Sequence, residues 1–324
     1  MLSRHGITRN RGLIGLSRGS AHRGVLLASV AVLLASASGC GGAGATPTSV
    51  ATSTPPSTSA TSTPPSTSAP GATGGIWHLV WNDEFNGPAG TLPDPKHWTY
   101  DLTSGSGWGN NEWEYYTNDP ANVSMDGKGY LGITARKSDG SLGCYYGACQ
   151  YTSARLTTKS IYQFTYGLIE ARVKVPGGIG LWPAFWMLGA DYDAHGWAAC
   201  GEIDIMEYIG QHPNRLYGTA HGPGYSGGSG LGSTIEADQP LSDDYHVFAV
   251  EWHPDSIVWM LDGKPYFQIT PADVPAGDEW VFDHDFFILM NVAVGGGMAG
   301  LIDPATIFPE TMSVDYIRVY QLGG

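Results

Sequence analysis

Residues 200–207 read Cys-Gly-Glu-Ile-Asp-Ile-Met-Glu, three acids within six positions separated by apolar side chains. On a β-strand alternate residues share a face, so Glu202 and Asp204 stand side by side. Unbroken alternation would turn Glu207 toward the core, where an unpaired carboxylate is costly. One extra residue accommodated as a β-bulge near Ile205-Met206 resets the alternation and returns Glu207 to the acidic face. Three carboxylates in one groove repel one another, which raises at least one pKa. Glycoside hydrolysis uses such a split: one carboxylate stays ionised as nucleophile while another holds a proton for the leaving oxygen. Asp204, between the two glutamates, can share a proton with Glu202, and close neighbours on one strand favour the retaining mechanism. Two blander readings compete, a divalent-cation cluster and an acidic sheet face without function. No calcium-loop spacing supports the first, and a functionless face gives no reason for the break at Met206.

The segments that must position these acids are short, β-rich and bounded by Gly, Pro, Asp and Asn. Strands are expected at 129–135, 166–175, 202–207, 246–252, 256–261, 286–292 and 313–320, with turns at Asp126-Gly127 and a hairpin at Asp262-Gly263. No long amphipathic pattern interrupts them. The reading is all-β, two packed antiparallel sheets rather than a parallel α/β fold. All 11 Trp fall between Trp77 and Trp280, enough to supply both a core and flat surfaces for pyranose rings.

The 324 residues divide unevenly. Residues 1–40 carry Arg4, Arg9, Arg11, Arg18 and Arg23 without an acid, then an apolar run from Val25 to Ala37, the layout of a secretory signal. Gly39-Cys40 also suits a bacterial lipoprotein site, although Ala37 stands where Leu is usual, so release and lipid anchoring at Cys40 both stay open. Residues 41–74 are rich in Thr, Ser, Pro, Ala and Gly, with TSTPPSTSA at 52–60 and again at 61–69, and read as an extended linker. Residues 75–324 form one domain. The net charge is −14, and without residues 1–40 there remain 11 basic against 30 acidic groups, or −19. Nucleic acid and anionic membranes are poor partners for such a field, whereas a neutral polymer is indifferent to it. Cys144 and Cys149 flank a short turn and could pair, which leaves Cys200 as an odd, buried thiol. No spacing resembles a zinc site.

The stretch GEIDIME resembles the active-site strand of glycoside hydrolase family 16, in its laminarinase-like branch of endo-β-1,3-glucanases. The resemblance runs from Leu79 to Tyr320 through WNDEF (81–85), WGNNEWEYY (108–116), YTSARLTTK (151–159), YGLIEARVKVPGG (166–178), LWPAFWMLG (181–189), GTAHGPGYSGG (218–228), FFILMNVAVGG (286–296) and VDYIRVY (314–320). It implies a β-jelly-roll sandwich whose concave sheet forms a substrate cleft, with Glu202 as nucleophile, Asp204 as assisting carboxylate and Glu207 as acid/base. The inserted Met206 resembles the bulged form of laminarinases, while strict lichenases have an uninterrupted strand. The expected substrate is therefore β-1,3-glucan, with mixed-linkage β-1,3-1,4-glucan second.

The same resemblance places Asn110, Arg155, Trp182, Trp186 and His221 at the sugar, with loop-fixing hydrogen bonds as the plainer alternative for the polar ones. It implies a structural calcium at Glu84, the Gly129 carbonyl and Asp315, away from the cleft, and no cofactor for the chemistry itself. A secreted monomer without a protein partner is expected. Ala198-Ala199-Cys200 departs from relatives that have Trp-Pro before the acidic strand. The rival of another class is a carbohydrate-binding protein without catalysis, which loss of one of the three acids would signal. Within the family the rival is a different neutral glycan; sulfated polymers fit poorly with −19.

Overall fold

The computed structural model describes residues 75–323; the expected signal over 1–40, the linker over 41–74 and Cys40 lie outside the described residues. Two large sheets form a β-jelly-roll sandwich. One has ten strands, ordered Lys264–Ile269, Ser256–Leu261, His246–His253, Gly167–Lys174, Glu310–Leu322, Leu131–Lys137, Tyr151–Ser153 and Glu114–Tyr116. In addition, Trp77–Asp83 pairs with Glu310–Leu322 and Val123–Met125 with Leu131–Lys137. The other has seven, ordered Leu231–Glu236, Arg215–His221, Glu202–Tyr208, Leu181–Gly189, Phe286–Val294, Arg155–Thr157 and Thr99–Tyr100. Pairing is antiparallel throughout these sheets except between Glu114–Tyr116 and Tyr151–Ser153, which run parallel. That one pair departs from the purely antiparallel expectation.

All seven expected strands are present, with ends displaced by up to three residues. Asp262 and Gly263 both have positive φ, 50° and 73°, as a tight hairpin turn requires. Sequence patterning did not identify Arg215–His221, Leu231–Glu236 or Lys264–Ile269. Leu231–Glu236 has no fully buried residue; only Leu231 and Ile235 of its six residues pack against the core, too short an apolar alternation to read as a strand. Cys144 and Cys149 are disulfide-bonded, closing the small Gly143–Ala148 hairpin region, and Cys200 is a buried free thiol.

The core lies between the sheets. Alternation along Leu181–Gly189 shows how one strand serves two surfaces: Leu181, Phe185 and Met187 are fully buried, while Trp182 and Trp186 are only partly so. In the acidic strand Ile203, Ile205 and Met206 all enter the core. Two consecutive residues pointing inward is the mark of an interrupted alternation. The register proves it on both flanks. Across to Arg215–His221, Asp204 faces Thr219 and Glu207 faces Tyr217, three residues against two. Across to Leu181–Gly189, Asp204 faces Trp186, Met206 faces Phe185 and Glu207 faces Ala184.

The irregularity is supported from the opposite sheet. Trp259, fully buried on Ser256–Leu261, donates its indole N–H to the Asp204 carbonyl at 2.8 Å. A buried carbonyl left without a donor costs about 1–3 kcal/mol. Trp259→Phe, which removes the donor and keeps most of the ring, should lower stability by about that amount. Thermal denaturation would read it as a reduced Tm. An unchanged Tm would show that the carbonyl finds another donor.

Candidate active site

The bulge sends Glu202, Asp204 and Glu207 to one face of the seven-stranded sheet. Each then has a defined neighbour on Arg215–His221: His221 opposite Glu202, Thr219 opposite Asp204 and Tyr217 opposite Glu207. His221 Nε2 lies 3.1 Å from Asp204 Oδ2 and 3.8 Å from Glu202 Oε1, so one imidazole faces two of the acids. Its ring leaves no room for a side chain at Gly230, where a Cβ would come 2.5 Å from the imidazole. The nearest-neighbour row across the sheet is equally specific. Arg155 pairs with Asn291, Asn291 with Ala184, and Ala184 with Glu207.

Two indoles hold the glutamates. Trp182 Nε1 donates to Glu207 Oε1 at 3.0 Å, and Trp197 Nε1 donates to Glu202 Oε2 at 3.0 Å. Trp197 is 51% exposed and its ring centroid lies 6.0 Å from that of His221, so it forms an open rim over Glu202. Trp186 donates instead to Asn291 Oδ1 at 2.8 Å. The Arg155 guanidinium is sandwiched between Trp108 and Trp186, 4.5 and 4.7 Å from their ring centres, with Nε 2.9 Å from Asp101 Oδ2. A cation held between two aromatic faces is fixed without losing its outward donors.

The electrostatics follow from burial and crowding. Burial, then the Asp204 charge, pushes the Glu207 carboxyl up to about 8; Glu112 adds to the rise, and His221 with the Trp182 N–H opposes it. Burial takes Asp204 to about 8 as well. Glu202 is raised well above the ordinary carboxylate range by burial, then by Asp204 and Glu207, with His221 and Arg155 pulling it down. Three acids so placed cannot all ionise near neutrality. The group therefore carries charge and protons together, the combination that acid/base and nucleophilic work on one substrate requires.

The structure brings together Glu202, Asp204, Glu207, Arg155, Trp182, Trp186 and His221. The Asn110 side-chain amide donates to Glu112 Oε1 at 3.0 Å. Sequence reasoning passed over Glu112, Asn291 and Trp197, although each lies in or beside a stretch already singled out. The missing signal is partnership, since Asn291 finds Tyr116 across 175 positions.

The calcium set is different. Arg318 engages both oxygens of Glu84, at 2.8 and 2.9 Å, and this pairing holds the Glu84 carboxyl below its usual range against the effect of burial. Asp315 pairs with Arg172 at 2.6 Å. Both carboxylates expected to serve as ligands are committed to guanidinium groups. As arranged, the Glu84 side chain makes a two-point ion pair with Arg318, whereas Asp315 is engaged by Arg172 through Oδ2 alone.

A sequence profile described as "Glycosyl hydrolases family 16" matches residues 109–318. The chain is 41% identical over 256 residues to a beta-glucanase of Rhodothermus marinus, covering 76% of this chain and 85% of that protein. It superposes on the laminarinase catalytic domain of Thermotoga maritima with a TM-score of 0.72 and 44% identity, covering 76% of this chain and 99% of that one. An endo-beta-1,3-glucanase of Pyrococcus furiosus gives a TM-score of 0.73 at 43% identity, covering 78% and 97%.

The raised carboxyl of Glu207 makes a prediction about stability. A folded-state pKa above the unfolded value contributes stability below the unfolded pKa and loses it as pH rises through the folded value. Between about pH 4 and pH 8 the wild type should therefore lose stability through this group as well as through Glu202 and Asp204, whereas Glu207→Gln, which cannot ionise at that position, is spared the share due to Glu207. The Tm of Glu207→Gln should exceed that of wild type by several degrees at pH 8–9 and match it near pH 4. Equal Tm values at both ends would show that Glu207 is not a strained buried acid.

Proposed function

The chain belongs to glycosyl hydrolases family 16 and is an endo-β-1,3-glucan hydrolase; from that premise we propose that Glu202, Asp204 and Glu207 cut the glucan by retaining double displacement. Glu202 attacks the anomeric carbon while Glu207 protonates the departing glycosidic oxygen, giving a covalent glucosyl-enzyme. Glu207, now a carboxylate, then takes a proton from water as its oxygen attacks the same carbon, and the product leaves with its original β configuration.

The observation that carries the proposal is the one-residue irregularity that aims all three acids at one face. Further support comes from the donors on each glutamate. The Trp197 N–H fixes one oxygen of Glu202 and leaves the other to the sugar. The Trp182 N–H fixes one oxygen of Glu207, and burial keeps the proton on that residue near neutral pH. Asp204 with His221 beside it assists by holding a proton next to Glu202. Trp182 and Trp186 offer indole faces, and Arg155 directional donors, for a neutral polymer.

The N-terminal arginines and apolar run support export of this domain, and the Cys144–Cys149 disulfide suits the oxidising compartment to which export leads. Lipid attachment at Cys40 is the membrane-bound version of the same reading, and radiolabelled palmitate incorporation would distinguish it from release.

Glu202→Ala should lose at least roughly a thousandfold in turnover of laminarin while keeping its fold and its binding of β-1,3-oligosaccharides. NMR of the first products from laminarin should show the β-anomer. An initial α-anomer, or wild-type turnover in Glu202→Ala, would end the assignment. The same assay on barley-type glucan measures the mixed-linkage activity, which the bulged strand leads us to place second.

A further inference from the structure

A second pair of acids lies just outside the catalytic strand. Glu112 is 4% exposed and Glu114 is fully buried. They occupy the segment that enters Glu114–Tyr116 and crosses the end of Phe286–Val294, where Glu112 bridges Gly295 and the Trp113 N–H donates to the Val294 carbonyl. Ordinary packing does not call for two carboxylates there, and the established chemistry uses neither.

Their hydrogen bonds lead to the cleft. Glu112 Oε1 accepts from Asn110 Nδ2 at 3.0 Å and Oε2 from the Tyr116 hydroxyl at 3.1 Å. The same hydroxyl oxygen accepts from Asn291 Nδ2 at 3.1 Å, and Asn291 Oδ1 accepts from Trp186 Nε1 at 2.8 Å. Glu114 Oε2 accepts from the Val294 N–H at 2.7 Å. Burial and the neighbouring Glu112 charge push the Glu114 carboxyl well above its usual range. Two donors converge on Glu112, the Asn110 amide and the Tyr116 hydroxyl. Asn291 in turn stands opposite Ala184, and Ala184 opposite Glu207. The network thus ends two strand spacings, roughly 10 Å, from the acid/base.

We propose that Glu112 is a positioning residue for the reaction: through Tyr116 and Asn291 it fixes the Trp186 platform beside the three acids, and it bears on the proton transfer made by Glu207. The inference rests on Glu207 being the acid/base. The Glu112 charge favours the protonated form of Glu207, an electrostatic effect that depends on charge and so separates this role from a purely steric one. Other groups face Glu207 as well: Glu202 and Asp204 from its own strand, His221 and Tyr217 from Arg215–His221, and Arg155 from Arg155–Thr157. They are unchanged in the Glu112 and Tyr116 variants below; Glu114, which responds to the Glu112 charge, changes with it, so a displaced pH profile reports the Glu112–Glu114 pair.

The test is the pH dependence of kcat/KM on laminarin for wild type, Glu112→Gln, Glu112→Asp and Tyr116→Phe, with Glu207→Ala as reference. Glu112→Gln should move the alkaline limb to lower pH by on the order of half to one unit. Glu112→Asp, which keeps the charge, should leave the limb within about 0.2 unit of wild type. Tyr116→Phe keeps the charge but breaks the link to Asn291; it should raise KM roughly threefold to tenfold with the limb in place. An unmoved limb in folded Glu112→Gln, or equal displacement in Glu112→Asp, overturns the proposal. So does an unchanged KM in Tyr116→Phe, which decides alone if Glu112→Gln does not fold. Full activity in Glu207→Ala would instead sink the acid/base assignment, a different failure with a different readout.

Discussion

One extra residue in one strand governs the site. A regular strand would place Glu207 on the side that Ile203 and Ile205 occupy, within the apolar layer. The insertion moves Met206 into that layer instead and brings Glu207 out beside its two predecessors. The distortion is tolerated because its polar consequence is met at once: the Asp204 carbonyl receives the indole N–H of Trp259 from the opposite sheet. The catalytic geometry is therefore set by a contact through the core, between a residue that never meets substrate and a backbone atom beneath the acids.

From that placement the electrostatics follow without any cationic clamp. Burial favours protonation of all three, and like charge adds to it at Glu202 and Glu207; the indole N–H groups of Trp182 and Trp197 orient Glu207 and Glu202, and His221 lies 3.1 Å from Asp204. Donors of this kind orient a carboxylate without ionising it outright, as an adjacent arginine would. The one nearby guanidinium, Arg155, is partnered by Asp101 and enclosed by Trp108 and Trp186. Elsewhere arginine does ionise carboxylates, at Glu84, and there no proton chemistry is possible at neutral pH.

The surroundings of the cleft are held by contacts of long sequence separation. The Gly143–Ala148 hairpin region, closed by its disulfide, lays Tyr145 and Tyr146 against the carbonyls of Asn111 and Trp113. The segment holding those carbonyls carries Asn110 and Glu112, and Glu112 reaches Trp186 through Tyr116 and Asn291. A disulfide-braced surface hairpin and the Trp186 indole are thus ends of one connected structure. Buried networks of this type are stiff when fully satisfied, and stiffness is what a platform for a long polymer needs.

The sequence by itself determined the fold class, the strand carrying the acids and the position of its irregularity. Each depends on local periodicity, and an acid at 207 following acids at 202 and 204 is incompatible with unbroken alternation whatever surrounds it. Trp182 and Trp186, which the resemblance pointed to, stand four apart on one strand and so share a face. Only the tertiary structure decided which groups answer those acids. Trp259 supports Asp204 from 55 residues away, Asn291 meets Tyr116 across 175, and Arg318 claims Glu84 across 234. Hydrogen bonds and ion pairs between distant strands depend on register and sheet order, which spacing along the chain does not encode. The acids could therefore be found by counting, whereas their partners required the sandwich to be closed.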